Sequence, residues 1–450
     1  MVNLPMNFVH LSDIHFGAPV LLGPHDLNGP LRLALERDLG EMRNKIGTMT
    51  GIFVTGDIAY SGESEQYREA TTWLATLCST IGCAEEDVWT TPGNHDIQRA
   101  KVAGSKIVRD FHERVRNQGA SRLDTELREA LLDGTYGKAL FEPLASYNSF
   151  ALKFGCSVTP EEPFWKDDIL LNDGSTLRLL GLNSTLISDS HDDDGAHKLA
   201  LGAAQLNIAS EAGVENLVLC HHPPQWLIDA DAVEIKLKAL VRVQLFGHKH
   251  AQVVDKINET VRLVSGAVHP HCAEREWTPR YNLISLYVEG TGEERFLKVK
   301  IFLRVWSKAH QKFVADATLS ESLDGALEYN LKLRAWRAPA APFTHPTAVA
   351  ATPNAFAVPA PMQAAITDPR TLTYRLMSLS LVKIMEVAEK MGLLEGRDLG
   401  STDYRFFSDA VKLLEKDARL AECWDAINEI EGSNEPNPYR PQADLRSVNA

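Results

Sequence analysis

Five short stretches of this sequence bring together side chains suited to holding metal ions. They are Ser12-Asp13-Ile14-His15, Gly56-Asp57, Gly93-Asn94-His95-Asp96, Cys220-His221-His222-Pro223-Pro224 and Gly247-His248-Lys249-His250. The converging set they offer is two Asp, one Asn and four His, with no thiolate required. Carboxylate and amide oxygens mixed with imidazoles suit Mn2+, Fe2+/3+ or Zn2+ better than a soft-metal site. Seven such groups exceed the four ligands of a structural zinc. A carboxylate can bridge two ions about 3.5–4 Å apart, and such a pair stabilises both the attacking and leaving oxygens of a phosphoryl displacement. Glycines directly before Asp57, Asn94 and His248 permit tight turns that bring backbone close to the ions.

Each stretch follows a strand-like run. These runs are Asn7–Ser12, Gly51–Thr55, Asp87–Thr91, Asn216–Cys220 and Val241–Phe246, with further runs at Thr176–Asn183, Val261–Ser265 and Asn282–Val288. Helical patterns such as Gly29–Gly47 and Glu63–Ile81 lie between several of them, which argues an α/β architecture. The carboxyl ends of strands in such a sheet share one rim, so residues far apart in sequence can converge there. The charged stretch at about 98–147 reads as a helical insertion, and Phe296–Trp306 with Gln311–Asp316 as a terminal hairpin. A first domain is expected over residues 1–335. Residues 336–370 form a linker with seven prolines and eleven alanines between Ala338 and Arg370, a composition that cannot build a core. Met377, Leu381, Ile384, Ala388 and Met391 then recur at helical spacing. A small helical module is expected over 371–432, followed by a polar tail, 433–450.

At 450 residues, the chain has room for two or three structural units at roughly 150 residues each. Its 44% hydrophobic and 24% charged residues exclude a disordered or collagen-like chain. Asp and Glu outnumber Lys and Arg by 60 to 46, and a net charge of −14 opposes loose binding along a nucleic-acid backbone. Two bound cations would still make the rim locally positive. Six cysteines without a C-x-x-C pair do not suggest a disulfide framework. No secretory leader or apolar run of about 18 residues is evident, so a cytoplasmic protein is expected.

The five motifs, in this order and each behind a strand, resemble those of the calcineurin-like metallophosphoesterase superfamily over about Asn7 to Val288. The resemblance implies two packed β-sheets flanked by helices and a pair of divalent ions. By that likeness Asp13, His15, Asp57 and His250 hold one ion, and Asp57, Asn94, His221 and His248 the other, with Asp57 as the bridge. A water or hydroxide shared by the metals is then the nucleophile. His95 stays off the metals and protonates or stabilises the leaving oxygen, with Asp96 as its orienting partner. Adjacent side chains on an extended segment point oppositely, so one of His221 and His222 should face the metals. The family pattern favours His221 and leaves His222 to line the site.

Other residues carry weaker signals. Arg99 could reach a substrate phosphate bidentately or form a surface salt bridge. Asn183, at a strand end, could line the rim or shape a turn. Tyr60 is expected to pack, His10 to be a buried supporting histidine, and His269 and His271 could sit near the site. Asp192-Asp193-Asp194, beside Gly195, reads as a solvated loop. The leading expectation is a dinuclear metal-dependent hydrolase of phosphodiesters of nucleotide or nucleic-acid type, acting on a small nucleotide or strand end. The alternatives are a phosphoprotein or metabolite phosphomonoesterase, and a phosphoesterase effector recruited to an assembly through its C-terminal helices, as a homo-oligomer or with a protein partner.

Overall fold

The structure, a computed structural model, describes residues 4–18, 28–192, 198–270, 278–320, 322, 324–337, 368–394 and 404–440. The linker residues 338–367, the tail residues 441–450, and His271, Asp193 and Asp194 lie outside this range. The chain divides into two compact units, Met1–Arg337 and Ala338–Ala450.

The first unit begins β1 (Met6–Leu11), α1 (Gly29–Ile46), β2 (Gly51–Thr55), α2 (Ser64–Ile81), β3 (Val88–Thr91). Five helices follow: α3 (Arg99–Gly104), α4 (Lys106–Gln118), α5 (Ala120–Leu132), α6 (Gly134–Phe141) and α7 (Ala145–Ala151). Then come β4 (Trp165–Leu170), β5 (Thr176–Leu182), β6 (Val214–Cys220), α8 (Ala230–Leu240), β7 (Val241–Phe246), β8 (Val253–Ile257) and β9 (Thr260–Val264). The unit closes with β10 (Arg280–Glu289), β11 (Phe296–Ser307), β12 (Lys312–Ala315) and β13 (Ala326–Lys332).

These strands make two mixed sheets flanked by helices. One runs β12-β11-β10-β1-β2-β3, with β13 also paired to β11; the other runs β4-β5-β6-β7-β9-β8. Within them β1, β2 and β3 are parallel, as are β5, β6, β7 and β9. The sheets meet where β2 packs on β6 and β3 on β5 and β6, which brings the carboxyl ends of both parallel sets to one rim. Every residue of β2 and of the edge strand β3 is buried, as expected of parallel strands covered on both faces. Beneath β6, Leu180, Leu182, Val218, Cys220, Leu227, Leu237 and Phe246 form a continuous apolar core with α8.

Three strands carry no strand-like run in the sequence: β4, β8 and β13. Each pairs on one side only and alternates or mixes charge along its length, as in Trp165-Lys166-Asp167-Asp168. The second unit holds α9 (Arg370–Ser378), α10 (Leu381–Lys390), α11 (Tyr404–Lys416) and α12 (Leu420–Glu431). The apolar period from Met377 to Met391 is therefore broken into two helices, because Ser380 is extended and caps α10 by accepting from Lys383 N. Leu372, Leu376, Ile384, Leu414, Cys423 and Ile427 are buried within this unit, whereas Leu381 and Val382 are exposed. Among the described residues no helix is long and apolar enough to cross a membrane.

Candidate metal centre

The five motif loops leave their strands abruptly. Asp13, His15, Asp57, His248 and His250 all have positive φ, five of the eight such non-glycine residues described. Left-handed backbone costs on the order of 1–3 kcal/mol per residue and persists only where the surroundings enforce it. Here the enforcement is visible. Asp13 N donates to Gly56 O at 3.2 Å, and Ile14 N and His15 N both donate to Asp57 O at 2.8 and 3.0 Å, locking the first loop onto the second. His95 N donates to Asp57 Oδ1 at 2.8 Å, and His248 N to Asp13 Oδ2 at 3.2 Å. A Cβ on Gly93 would overlap Asp57 Oδ1, and one on Gly247 would overlap Ser12 Oγ, so only glycine lets these loops close.

The loops bring all seven expected donors together. Asp57 Oδ2 lies 3.3 Å from His15 Nε2 and 3.2 Å from His221 Nε2. Asp13 Oδ1 lies 3.2 Å from His250 Nε2, and Asn94 Oδ1 lies 3.2 Å from His221 Nε2. Four groupings have ligand atoms close enough to share an ion: Asp13-His15-His250, Asp13-Asp57-His221, His15-Asp57-His95 and His221-His222-His248. The donor set fits divalent cations on physical grounds. Asp13 is fully buried, a place where a carboxylate is costly unless positive charge meets it, and Oδ1 has the His250 imidazole at 3.2 Å. His221 Nδ1 lies 2.7 Å from Thr55 O and His15 Nδ1 3.4 Å from His269 O. A carbonyl can only accept, so each Nδ1 carries a proton and Nε2 is the nitrogen turned to the centre, where it can exchange its own proton for a cation.

The electrostatics point the same way. Burial pushes the Asp57 carboxyl up, but the imidazoles of His221, His95 and His15 bring it well below the usual range. Burial pushes the His221 imidazole down, yet Asp57 and Asp13 hold it up at about 9. His248, buried beside His221, falls to about 3. Protons on His221 and His15 thus compensate carboxylates that cations would otherwise neutralise, and metal affinity must fall as pH falls.

His95 is half-exposed, with Nδ1 2.8 Å from Tyr60 O. This corrects the expected pairing with Asp96. The Asp96 carboxylate instead accepts from Gly93 N at 2.8 Å, Ala59 N at 2.9 Å, Ile58 N at 3.3 Å and Tyr67 Oη at 2.8 Å. Burial and the Asp57 charge raise its pKa to about 6, against the pull of those donors. Asp96 therefore ties the Asp57 loop to the Asn94 loop. Asp96→Ala should leave several buried donors unmatched, at about 1–3 kcal/mol each. It is expected to destabilise the protein by on the order of 3 kcal/mol in urea denaturation; an unchanged midpoint would show the loops are held otherwise.

His222 departs from the expectation that it and His221 point oppositely. β6 ends at Cys220, so the pleat does not extend to these residues. Both imidazoles are buried and turn to Asn94, with His222 Nε2 3.1 Å from Asn94 Oδ1. Asn183 does not face the centre with its amide oxygen, which accepts from Thr185 N at 2.9 Å and Thr185 Oγ1 at 2.7 Å and shapes the turn. The neighbouring Ser184 reaches the site instead, its Oγ 2.7 Å from His222 Nδ1. Arg99 is exposed at the start of α3 and forms no ion pair among the described residues, but its charge is among those lowering the His95 pKa, behind burial. His10 is buried, with Nε2 2.9 Å from Thr55 Oγ1. His269 lies behind the first loop, its Nδ1 2.6 Å from Ile14 O rather than turned to the ligands. Asp192 is buried, not solvated, and pairs with Arg116 at 3.5 Å.

Two aromatic rings flank the row of imidazoles. Tyr60 lies 5.1 Å from the His95 ring, and Trp226 meets His248 edge-on at 4.3 Å. Trp226 carried no signal of its own in the sequence beyond following His222 by four residues.

Compared with known proteins, residues 6–252 match the family described as calcineurin-like phosphoesterase. The uncharacterized metallophosphoesterase-like protein YydB of Bacillus subtilis (strain 168) is 23% identical over 326 residues, which is 68% of this chain and 62% of YydB. The chain thus spans less than two thirds of that relative's length. Among solved structures, vacuolar protein sorting 29 from Cryptosporidium parvum gives a TM-score of 0.33 at 11% identity, covering 73% of this chain and 99% of that one. GAP50, the anchor in the inner membrane complex of Plasmodium, gives 0.34 at 10% identity, covering 74% and 90%.

Proposed function

As the chain belongs to the calcineurin-like phosphoesterase family, we propose that it is a phosphoric ester hydrolase and that it cleaves phosphodiesters of nucleotide or nucleic-acid type at a dinuclear centre. The observation that carries this reading is the position of Asp57. One carboxylate oxygen stands beside His15 of one candidate ligand group and His221 of another, which supports a bridging role for it. Asp13, His15, Asp57 and His250 would hold one divalent ion, and Asp57, Asn94, His221 and His248 the other. When bound, such ions supply Lewis acidity to the phosphoryl oxygens and lower the pKa of water.

The remaining work falls to the chain's own groups. Hydrolysis adds water to phosphorus, breaks the P–O bond to the leaving group and delivers a proton to the departing oxygen. His95 is placed for that delivery. Its Nδ1 is committed to Tyr60 O, and Nε2 is the nitrogen left to exchange a proton, general acid catalysis typically contributing about 10²–10⁴-fold. The Asp57 Oδ1 bond to His95 N keeps the ring in register with the bridge. Exposed Arg99 offers a bidentate contact for a phosphate oxygen.

Support for a diester comes from the likeness of the His10-Leu11-Ser12-Asp13-Ile14-His15 opening and the Gly93-Asn94-His95-Asp96 box to cyclic-nucleotide phosphodiesterase and DNA-exonuclease branches. Tyr60 and Trp226 add stacking faces at either end of the centre, which suit a base. With Mn2+ supplied, bis(p-nitrophenyl) phosphate is expected to be hydrolysed with a higher kcat/KM than p-nitrophenyl phosphate. The reverse order would replace this reading with a phosphomonoesterase.

A further inference from the structure

Three imidazoles, not two, gather on the Asn94 side of the centre. His221 Nε2 and His222 Nε2 stand 3.2 and 3.1 Å from Asn94 Oδ1, and the ligand nitrogens of His221, His222 and His248 all lie within 4.8 Å of one another. An ion that holds nitrogen and oxygen at about 2.0–2.2 Å places adjacent octahedral ligands about 3 Å apart. Both histidines therefore stand from the amide oxygen as neighbouring ligands of one ion would. His222 is fully buried, its ring 4.6 Å from that of His221 and 4.4 Å from that of His248. Ser184 Oγ, 2.7 Å from Nδ1, fixes the ring so that Nε2 is aimed at the cluster, the arrangement usual for an imidazole ligand.

We propose that His222 is itself a ligand of the second ion, completing a set of Asp57, Asn94, His221, His222 and His248. The inference rests on the dinuclear reading above. It makes the two positions chemically unequal. The first offers two carboxylates and two imidazoles, the second one carboxylate, one amide and three imidazoles. An imidazole-rich position favours Zn2+ or Fe2+ over Mn2+, whereas carboxylates accommodate Mn2+ well. The second position is therefore the one that discriminates among metals, and the protein should take up two different metals when both are offered.

The test counts imidazoles on the metal directly. In the full chain loaded with Co2+, each coordinated histidine gives one strongly shifted, solvent-exchangeable ring N–H proton signal by NMR. Five are expected, from His15, His221, His222, His248 and His250, and His222→Gln should lose one of them. The same variant should bind its second Zn2+ at least tenfold more weakly by calorimetry, while the first is bound as before. Ser184→Ala retains the ligand and should keep all five signals, with the His222 proton exchanging faster. Four signals in the unaltered protein would overturn the assignment and leave His222 as a hydrogen-bond donor to Asn94. That count stands even if His222→Gln does not fold. Binding of fewer than two Co2+ per chain would instead overturn the dinuclear reading itself.

Discussion

Asp57→Ala is expected to bind neither ion stoichiometrically and to lose hydrolytic activity by more than about 10⁴-fold, a modest part of the 10⁶–10¹⁷-fold that enzymes provide. Both ligand groups lose a member at once, because the same carboxylate faces His15 and His221. The substitution also removes the acceptor for His95 N, so the proton donor loses its tether. Asp57→Asn separates these effects. It keeps an oxygen of the same shape for His95 but gives up the charge between two cations, so it should fold with a near-normal melting profile and still bind metal poorly. Elemental analysis of metal per chain, alongside the rate, checks both variants. Metal content and activity at the level of the unaltered protein would remove Asp57 from the bridge.

His95→Ala should behave differently. No ligand is lost, so both ions should remain, while the rate falls by about 10²–10⁴-fold, the usual contribution of a positioned acid. The loss should be largest for esters with poor leaving groups, since a leaving oxygen that departs easily needs little protonation. Tyr60 orients His95 through its main-chain carbonyl, so Tyr60→Phe should leave this step intact. If His95→Ala loses metal in proportion to activity, the imidazole is a ligand; if it loses neither, the proton comes from elsewhere.

Most of the centre is legible in the sequence because the chemistry forces short, local signals. A glycine must precede Asp57, Asn94 and His248 where loops close against one another, and each motif must end a buried strand, so polar residues appear directly after apolar runs. What the sequence hid falls into two kinds. The partners of His95, His221 and His15 are main-chain carbonyls of Tyr60, Thr55 and His269, which any residue type can supply. The Asp96 role was misread for the same reason: three of its four donors are backbone N–H groups of Ile58, Ala59 and Gly93, invisible as residue types. The second kind is local geometry at element ends. The alternation argument for His221 and His222 holds only while the strand continues, and β6 stops one residue earlier. In the fold, the inner strands announce themselves as short, mostly apolar runs, whereas β4, β8 and β13 at the margins of the sheets mix in enough charged and polar residues to mask them. Ser380 likewise divides what the periodicity presents as one helix face.

The central claim, hydrolysis that depends on two ions bridged by Asp57, is tested most directly by metal titration. The full chain is stripped with chelator and Mn2+ is added back stepwise while p-nitrophenol release from bis(p-nitrophenyl) phosphate is followed. The rate should be absent without metal, stay low to one equivalent and rise to a plateau at two, with no recovery in Asp57→Ala. Full activity at one equivalent, or activity that survives complete removal of metal, would contradict the account.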